Sequence, residues 1–362
     1  MSKKRKKAES LLLVTATIVS VVAAGILFFR YTSTGKHLTA KAAAHYLHGA
    51  VEFVPGNNRG PENLPESVFL EGINQAGEEN KTDVSGNQEQ TVKPGFEKDG
   101  IYHLLLLGEE AIRSAPGKGR TDSILLLSIH TGQQKCHITS ILRDSYVEPE
   151  GMNPCKINAV YAKQGVEGLY HLLYDKLGVW PDGYAKVGFD SFEELIDMLG
   201  GAQVTLTSQE AEYLNSHNYI SKKEYRNVKE GTQVLNGNQT LGYCRVRYVP
   251  NCNGTAYDYG RTERQRMVLE DLFQRYKEAG LLKWVSILKK GLGSIETDLS
   301  EEVMEELIFV MDEYNIRELE QHQLPAKGTF DSVKELNGVT STLVTDWDKN
   351  RTLFWNNLEK NK

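Results

Sequence analysis

An uncharged apolar run near the amino terminus constrains the fold of this chain most strongly. Residues 11–29 contain no charged side chain, and the basic sequence KKRKK lies just before them. A helix of this length rises about 28 Å, close to the thickness of a bilayer core. The run therefore predicts a membrane-anchoring helix at 11–29. A cleaved signal peptide is the alternative, since Val22-Ala23-Ala24 resembles a cleavage site, but its apolar region is normally shorter.

The basic flank predicts the orientation of this helix. Lysine and arginine beside a membrane segment stay on the cytoplasmic side, so residues 1–10 form a cytoplasmic basic tail and the chain after Arg30 faces outward. Residues 30–98 predict a polar stalk or linker, because they are rich in turn formers and hold four of the ten prolines. Apart from a short helix predicted at 36–48, no hydrophobic periodicity persists in this stretch.

The folded body is predicted to extend from residue 99 to residue 358. Unbroken apolar runs at 101–107, 123–129 and 137–142 are typical of strands buried on both faces. Helical periodicity is predicted at 165–177, 191–199, 236–246, 260–279, 281–290 and 300–314, and shorter strands at 184–189 and 204–206. Strands mixed with helices indicate one α/β or α+β domain, in which helices cover a central sheet.

The charge distribution limits the partners of this body. The chain has 42 Lys+Arg and 48 Asp+Glu, a net charge of −6. Residues 1–30 carry six basic side chains and one acidic side chain, which is +5, so the remaining residues carry −11. A body this acidic is a poor binder of nucleic-acid backbones. Any anion that it binds requires a local basic cluster.

Acidic side chains flank the first loop of the body. Glu110 follows the first predicted strand and Asp122 precedes the second, on either side of the sequence SAPGKG. Strand ends in layered α/β sheets converge on a crevice. Two carboxylates there suit Mg²⁺, which completes its shell with water and phosphate oxygens. The spacing G-x-x-x-x-G-K-[ST] is absent from the sequence, which excludes a P-loop ATPase.

Basic side chains occur at similar positions along the chain. The candidates are Arg120, Arg143, Lys156, Arg245, Arg247, Arg261 and Arg264, with Gln265 and Asp258 beside the last two. Arginine grips phosphate or carboxylate with two parallel charge-assisted bonds. Taken together, these residues describe a site for pyrophosphate and a metal ion. Taken singly, each is a surface ion pair or a solvated helix end, and both interpretations stay open at this point.

An ordered series of motifs resembles the LytR-CpsA-Psr family. The motifs are LLLLG, GRTDSILLLSI, SILRDSY, KINAVYAKQG, the pattern GxQxLNGxQxLxYxRxR at 231–247, and DYGRTERQR. They cover roughly residues 100–280, and the closing segment GVTSTLVTDWDKNR extends the likeness almost to the end of the chain. The resemblance implies a cytoplasmic tail, one membrane helix, and a single outward α/β/α domain with a central mixed sheet.

The resemblance also implies phosphotransfer at the cell membrane. A glycopolymer such as teichoic acid or capsule would move from undecaprenyl pyrophosphate onto peptidoglycan, with Mg²⁺, or alternatively Mn²⁺, as cofactor. Implied catalytic residues are Asp122, Arg143, Arg245, Arg247, Asp258 and Arg261, implied substrate contacts are Arg120, Lys156, Arg264 and Gln265, and implied metal ligands are Asp122 and Glu110. The family usually carries aspartate at the position of Glu110. A pyrophosphate hydrolase and a non-catalytic polyprenyl-phosphate-binding regulator are the alternatives.

The four cysteines allow several pairings. All four cysteines follow the predicted membrane helix and are therefore predicted to lie outside the cell, where disulfides form: Cys136, Cys155, Cys244 and Cys252. No C-x-x-C motif occurs in the sequence, which disfavours a zinc site. Cys155 adjoins Lys156, and Cys252 lies between the R-x-R motif and Asp258. We therefore predict a Cys155–Cys252 bridge if those motifs converge, with Cys136 and Cys244 left as buried thiols.

Overall fold

A mixed β-sheet of seven strands forms the centre of the molecule. The computed structural model describes residues 27–56, 100–110, 119–280, 283–286 and 295–359, except for the side chain of Glu110. In chain order, the strands are β1 Glu52–Phe53, β2 Ile101–Glu110, β3 Arg120–His130, β4 Lys135–Ile141, β5 Tyr146–Val147, β6 Cys155–Lys156, β7 Gly183–Gly188, β8 Ala202–Leu206, β9 Gly231–Leu235, β10 Ile295–Thr297, β11 Glu318–Leu324, β12 Phe330–Leu336 and β13 Val339–Thr345. The order in the main sheet is β1-β10-β7-β2-β3-β4-β11.

The central strands are the apolar runs that the sequence predicted. β2 pairs antiparallel with β3 and β3 antiparallel with β4, whereas β7 and β11 join the sheet in parallel. Three further two-stranded pairs, β5–β6, β8–β9 and β12–β13, lie outside the main sheet. The mixed α/β fold with a central mixed sheet is therefore confirmed.

Helices cover both faces of the sheet. The helices of the described chain are α1 Ser33–His48, α2 Val160–Leu177, α3 Phe189–Met198, α4 Ser208–Ser216, α5 Gly237–Arg245, α6 Tyr257–Ala279, α7 Glu301–Glu313 and α8 Trp347–Glu359. One face of the sheet buries Leu105 and Leu107 against α2 and α8. The other face buries Tyr102 and Ile129 against α1 and α7. A third apolar cluster joins β8–β9 to helices α3, α4, α5 and α6.

The first part of the predicted linker belongs to the folded body. α1 packs against α7, where Ala43, Ala44 and Leu47 are buried with Val303 and Leu307. β1 continues from this helix and pairs in parallel with β10. The assignment of residues 30–98 to a free stalk is therefore wrong for residues 33–53. The sequence carried the signal, because the apolar residues of α1 recur at helical spacing.

Other element boundaries differ from the prediction. α2 begins five residues earlier than predicted and contains a kink at Gly165, whose φ is 71°. The sequence did not predict α4, α8 or strands β1, β5, β6 and β9 to β13. Of the helix predicted at 281–290, residues 283–286 are helical and the rest lie outside the described residues.

The predicted membrane helix lies mostly outside the described residues. Residues 11–26 are not among them, and residues 27–31 are helical. In the part of the chain that the structure describes, no helix is both long enough and apolar enough to cross a membrane.

Candidate active site

A β-bulge positions Asp122 at the end of the central sheet. Ser123 pairs with Gly108 and Thr121 pairs with Glu109, so Asp122 is an extra residue with no opposite partner. Such an insertion re-aims a side chain away from the regular ladder. A side chain at position 108 would place its Cβ 2.9 Å from the Cβ of Ser123, which explains the glycine at this bulge.

Arg143, which follows β4, contacts Asp122 at the bulge. Nη1 of Arg143 lies 2.7 Å from Oδ1 of Asp122. The next residue, Asp144, accepts a 2.8 Å bond from Nζ of Lys156, which the short β5–β6 pair holds opposite Tyr146. Nδ2 of Asn158 lies 3.5 Å from Oδ1 of Asp122. The motifs SILRDSY and KINAVYAKQG are therefore neighbours in space.

The carboxyl end of α5 and the amino end of α6 complete the same surface. Asn236 and Gln239 form a capping box that fixes the start of α5. The helix ends at Arg245, the first arginine of the R-x-R motif. Nε of Arg247 and Nε of Arg261 each lie 3.3 Å from Oδ1 of Asp258. The side chain of Asp144 lies close enough to Asp258 to interact with it, so the two halves meet. We call the set Asp122, Arg143, Asp144, Lys156, Arg247, Asp258 and Arg261 the arginine–aspartate cluster.

Several buried donors in this cluster have no hydrogen-bond partner. Nη2 of Arg261 has no hydrogen-bond partner among the described residues, and Nε of Arg143 and Nε of Arg261 lie 3.8 Å and 3.3 Å from the carboxylates of Asp144 and Asp258 without forming a hydrogen bond. Arg261 is only 3% exposed, so its guanidinium is removed from bulk water. An unsatisfied buried donor on a charged group is costly to leave in a folded protein. Nη2 of Arg261 is therefore available to an anion, and the two Nε donors lack a well-aligned acceptor.

Burial and charge set the protonation behaviour of the cluster. Burial raises the pKa of Asp144, and its hydrogen bond with Asp258 raises the pKa further. Burial also lowers the pKa of Arg261, and the attraction of Asp258 offsets this only in part. Burial acts to lower the pKa of Arg143 as well, but Asp122 and Asp258 outweigh it and the pKa is raised.

Three other predicted site residues are Arg245, Arg120 and Gln265. Arg245 ends α5 with its guanidinium carbon 4.8 Å from the ring centre of Phe189. Arg120 begins β3 and is exposed. Oε1 of Gln265 accepts a 3.0 Å bond from Ser123, and its Nε2 donates to the carbonyl of Cys244. Gln265 therefore ties α6 to β3 and α5 and supports the bulge.

The structure does not bring Arg264 to the cluster. Its Nε donates to Glu210 at 2.7 Å, and the side chains of both residues are fully buried. The remaining nitrogens donate to the carbonyls of Val246 and Val249. Because every guanidinium nitrogen is committed to the protein, the predicted substrate contact is replaced by a structural one. Both arginines belong to the motif DYGRTERQR, so the sequence alone does not show which of them faces a ligand.

Three further predictions concern Glu110 and the cysteines. The side chain of Glu110 lies outside the described residues, so its part in metal binding stays a prediction. The predicted Cys155–Cys252 bridge is wrong, because all four cysteines are free. Cys155 packs in the core beneath α2, whereas Cys252 is exposed in the loop before α6. Cys136 and Cys244 are buried thiols, as predicted.

Two residues of the site were missing from the predicted set. Asp144 links Lys156 to Asp258, and Asn158 approaches Asp122. Both stand inside motifs that the sequence displayed, directly after Arg143 and two residues after Lys156. Their charge and polarity beside predicted site residues were the available signal.

Comparison with known proteins identifies the family. The family model of LytR_cpsA_psr matches residues 67–352. The chain belongs to the LytR-CpsA-Psr family. A LytR-CpsA-Psr relative, the regulatory protein MsrR of Staphylococcus aureus (strain COL), is 34% identical over 174 residues, which are 48% of this chain and 49% of MsrR.

One further curated protein and one solved structure are also similar to this LytR-CpsA-Psr chain. The polyisoprenyl-teichoic acid–peptidoglycan teichoic acid transferase TagV of Bacillus subtilis (strain 168) is 30% identical over 202 residues, 55% of this chain and 50% of TagV. The chain spans about half the length of the curated relatives it matches. The solved structure of YwtF (TagT) with bound octaprenyl pyrophosphate lipid shares the fold, with a TM-score of 0.53, 19% identity, and coverage of 75% of this chain and 94% of that one.

Proposed function

We propose that this protein transfers a glycopolymer from undecaprenyl pyrophosphate onto peptidoglycan outside the cell. The observation that carries the proposal is the set of unsatisfied buried donors on Arg143 and Arg261, beside the bulged Asp122. Charged donors fixed in a partly buried crevice match a pyrophosphate, whose negative charge spreads further in the transition state of phosphoryl transfer. Membership of the family and the activity named for TagV support the same substrate class.

The reaction requires the cluster to orient the pyrophosphate and to stabilise its charge. The acceptor hydroxyl attacks the phosphorus that bears the glycopolymer. The bond from that phosphorus to the bridging oxygen breaks, and polyprenyl phosphate leaves. Arg143 and Arg261 bind the phosphate oxygens. Arg247 pairs with Asp258, which in turn holds Arg261 in position. We assign acceptance of the hydroxyl proton to Asp144, because a raised pKa makes its carboxylate a better base than an ordinary aspartate.

Magnesium fits the donor chemistry of this site through Asp122. Mg²⁺ commonly takes one or two protein carboxylates and completes its shell with water and substrate phosphates. Asp122 supplies one such carboxylate, beside the donors that would hold the phosphates. The ion would neutralise charge on the transferred phosphoryl group. We propose Asp122 as its protein ligand and Glu110 as a second one.

We further propose that the chain is anchored in the cell membrane by the apolar run at 11–29, with the folded body outside. The KKRKK flank and the absence of charge in the run support this topology. Protease added to cells stripped of their wall should digest the body. A body that resists the protease until the cells are lysed would contradict the orientation.

A transfer assay tests the activity. The full chain is incubated with a polyprenyl-pyrophosphate-linked glycan, a peptidoglycan acceptor and Mg²⁺, and coupled glycan and free polyprenyl phosphate are measured. We expect both products in equal amounts, and neither in EDTA or with Asp122→Ala. Arg317→Ala is the matched control, because Arg317 is an exposed arginine whose Nε bonds only to Asn315 in the described chain. Release of lipid phosphate without coupled glycan would instead identify a hydrolase.

A further inference from the structure

The pairing of β4 with β11 brings two histidines and a glutamate together at the edge of the main sheet. The strands are parallel, and Glu320 stands opposite His137 in the register. His322 follows Glu320 by two residues, so all three side chains lie on the same face. From this juxtaposition we propose that His137, Glu320 and His322 bind one divalent transition-metal ion of the zinc type, at a site separate from the arginine–aspartate cluster.

The distances between the ligand atoms match a tetrahedral site. Nδ1 of His137 lies 3.2 Å from Nε2 of His322. Oε2 of Glu320 lies 3.7 Å from the former nitrogen and 3.9 Å from the latter. A zinc ion with bonds of 2.0–2.1 Å separates its ligand atoms by roughly 3.3 Å in tetrahedral geometry. The three atoms therefore need only small side-chain adjustments to share one ion.

The surroundings of the three ligands favour a cation. Oε1 of Glu320 accepts a 2.8 Å bond from Lys135, which leaves Oε2 directed at the histidines. Nζ of Lys135 also lies 3.1 Å from a carboxylate oxygen of Glu318. The two carboxylates of Glu318 and Glu320 therefore carry more negative charge than the one ammonium group of Lys135 can balance. Outer groups that fix a ligating carboxylate in this way increase metal affinity.

The ligand set selects the class of metal. Two imidazoles with one carboxylate suit zinc and its neighbours in the first transition row, whereas Mg²⁺ prefers oxygen ligands alone. His137 is buried, but Glu320 and His322 are partly exposed, so water can reach a fourth position. Three protein ligands and one open position are a common arrangement for zinc.

Metal binding would fix the edge strand β11 to its neighbour β4. β11 is the outermost strand on its side of the described sheet, and it leads through β12 to β13. In β13 the backbone N–H of Leu343 donates to the carbonyl of Asp144. An ion that binds only the folded chain stabilises it, by an amount that grows with the logarithm of the ratio of ion concentration to Kd. Zinc would therefore hold the carboxyl-terminal segment against the sheet.

Metal titration of the full chain tests the site. The protein is prepared without a polyhistidine tag, stripped with EDTA, and returned to Mg²⁺. Zn²⁺ is then added while heat release and melting temperature are recorded. We expect one Zn²⁺ per chain and a raised melting temperature. Co²⁺ in its place should give the visible absorption of a tetrahedral ion.

Four variants separate this site from others. His322→Ala and Glu320→Gln should each weaken Zn²⁺ binding about 100-fold or more, since loss of even an outer-sphere partner costs roughly 10–100-fold. His217→Gln, which changes an exposed histidine on another part of the surface, and Asp122→Asn should leave it unchanged. The proposal is overturned if the wild type binds no stoichiometric Zn²⁺, or if Zn²⁺ binding survives His322→Ala undiminished. Failure here leaves the transfer assay unaffected, because that assay contains only Mg²⁺.

Discussion

Arg261 and Arg264 stand one turn apart on α6, and both are buried, yet their surroundings are opposite. Every guanidinium nitrogen of Arg264 donates to Glu210 or to a backbone carbonyl. Arg261 approaches Asp258, but its Nε and Nη2 have no hydrogen-bond partner among the described residues. A buried arginine with all donors satisfied stabilises the fold, whereas one with donors left over is prepared to bind a ligand. Burial alone does not separate these two roles.

The largest effect on stability is expected from Arg264. Arg264→Ala leaves Glu210 as an uncompensated buried charge, which should lower the free energy of unfolding by about 3–5 kcal/mol. Urea denaturation of the purified chain measures this loss. The double variant Arg264→Met with Glu210→Leu should recover most of it, because no lone charge remains. A single variant as stable as the wild type would mean that the pair is not buried in solution.

Arg261 should show the opposite pattern. Arg261→Ala removes a donor that acts on the transition state, so turnover should fall about 10²–10³-fold, or roughly 3–4 kcal/mol, with little change in melting temperature. Arg261→Lys should recover little activity, since a point charge does not reproduce the planar fork. The transfer assay and a thermal melt of the same sample test both statements. Near-normal turnover in Arg261→Ala would remove Arg261 from the site, whereas near-normal turnover in Arg261→Lys would show that its charge alone is sufficient.

Binding of a simple anion sharpens the comparison without turnover. Inorganic pyrophosphate with Mg²⁺ should raise the melting temperature, and at a concentration of 100 Kd the stabilisation is about 2.7 kcal/mol. Arg261→Ala and Arg143→Ala should remove this shift, whereas Arg317→Ala should keep it. A shift that persists in both cluster variants would place the anion elsewhere.

Replacement of Asp144 is expected to have the smallest effect on stability. Its pKa is raised by burial and by Asp258, so its contribution to stability is greatest below the unfolded pKa and is lost as pH rises through the folded pKa. Asp144→Asn should therefore be at least as stable as the wild type at pH 7, and the difference should shrink as the pH falls. Denaturation curves at several pH values measure this, and turnover should be lost in the same variant. A variant that is much less stable at pH 7 would show that the bond to Lys156 outweighs burial.

The apolar runs predicted β2, β3 and β4 well, because a continuous run of that length has few ways to be buried except as a central strand. β11 was missed for the converse reason. Its sequence ELEQHQL is half exposed at a sheet edge and carries little hydrophobic alternation. The alanine-rich stripe of α1 was visible, but its packing partner α7 lies more than 250 residues away in the sequence.

The chain's own sequence determined the family, the central strands, and most of the charged residues that meet at the bulge. Their order along the chain and their places at element ends were enough, since each follows from local pattern. Only the tertiary structure decided that Arg261 keeps unsatisfied donors while Arg264 does not, because Glu210 comes from a different helix. Only the tertiary structure placed His137 beside His322, 185 residues apart. Pairing between distant strands depends on the packing of the whole sheet, and no local stretch of sequence encodes it.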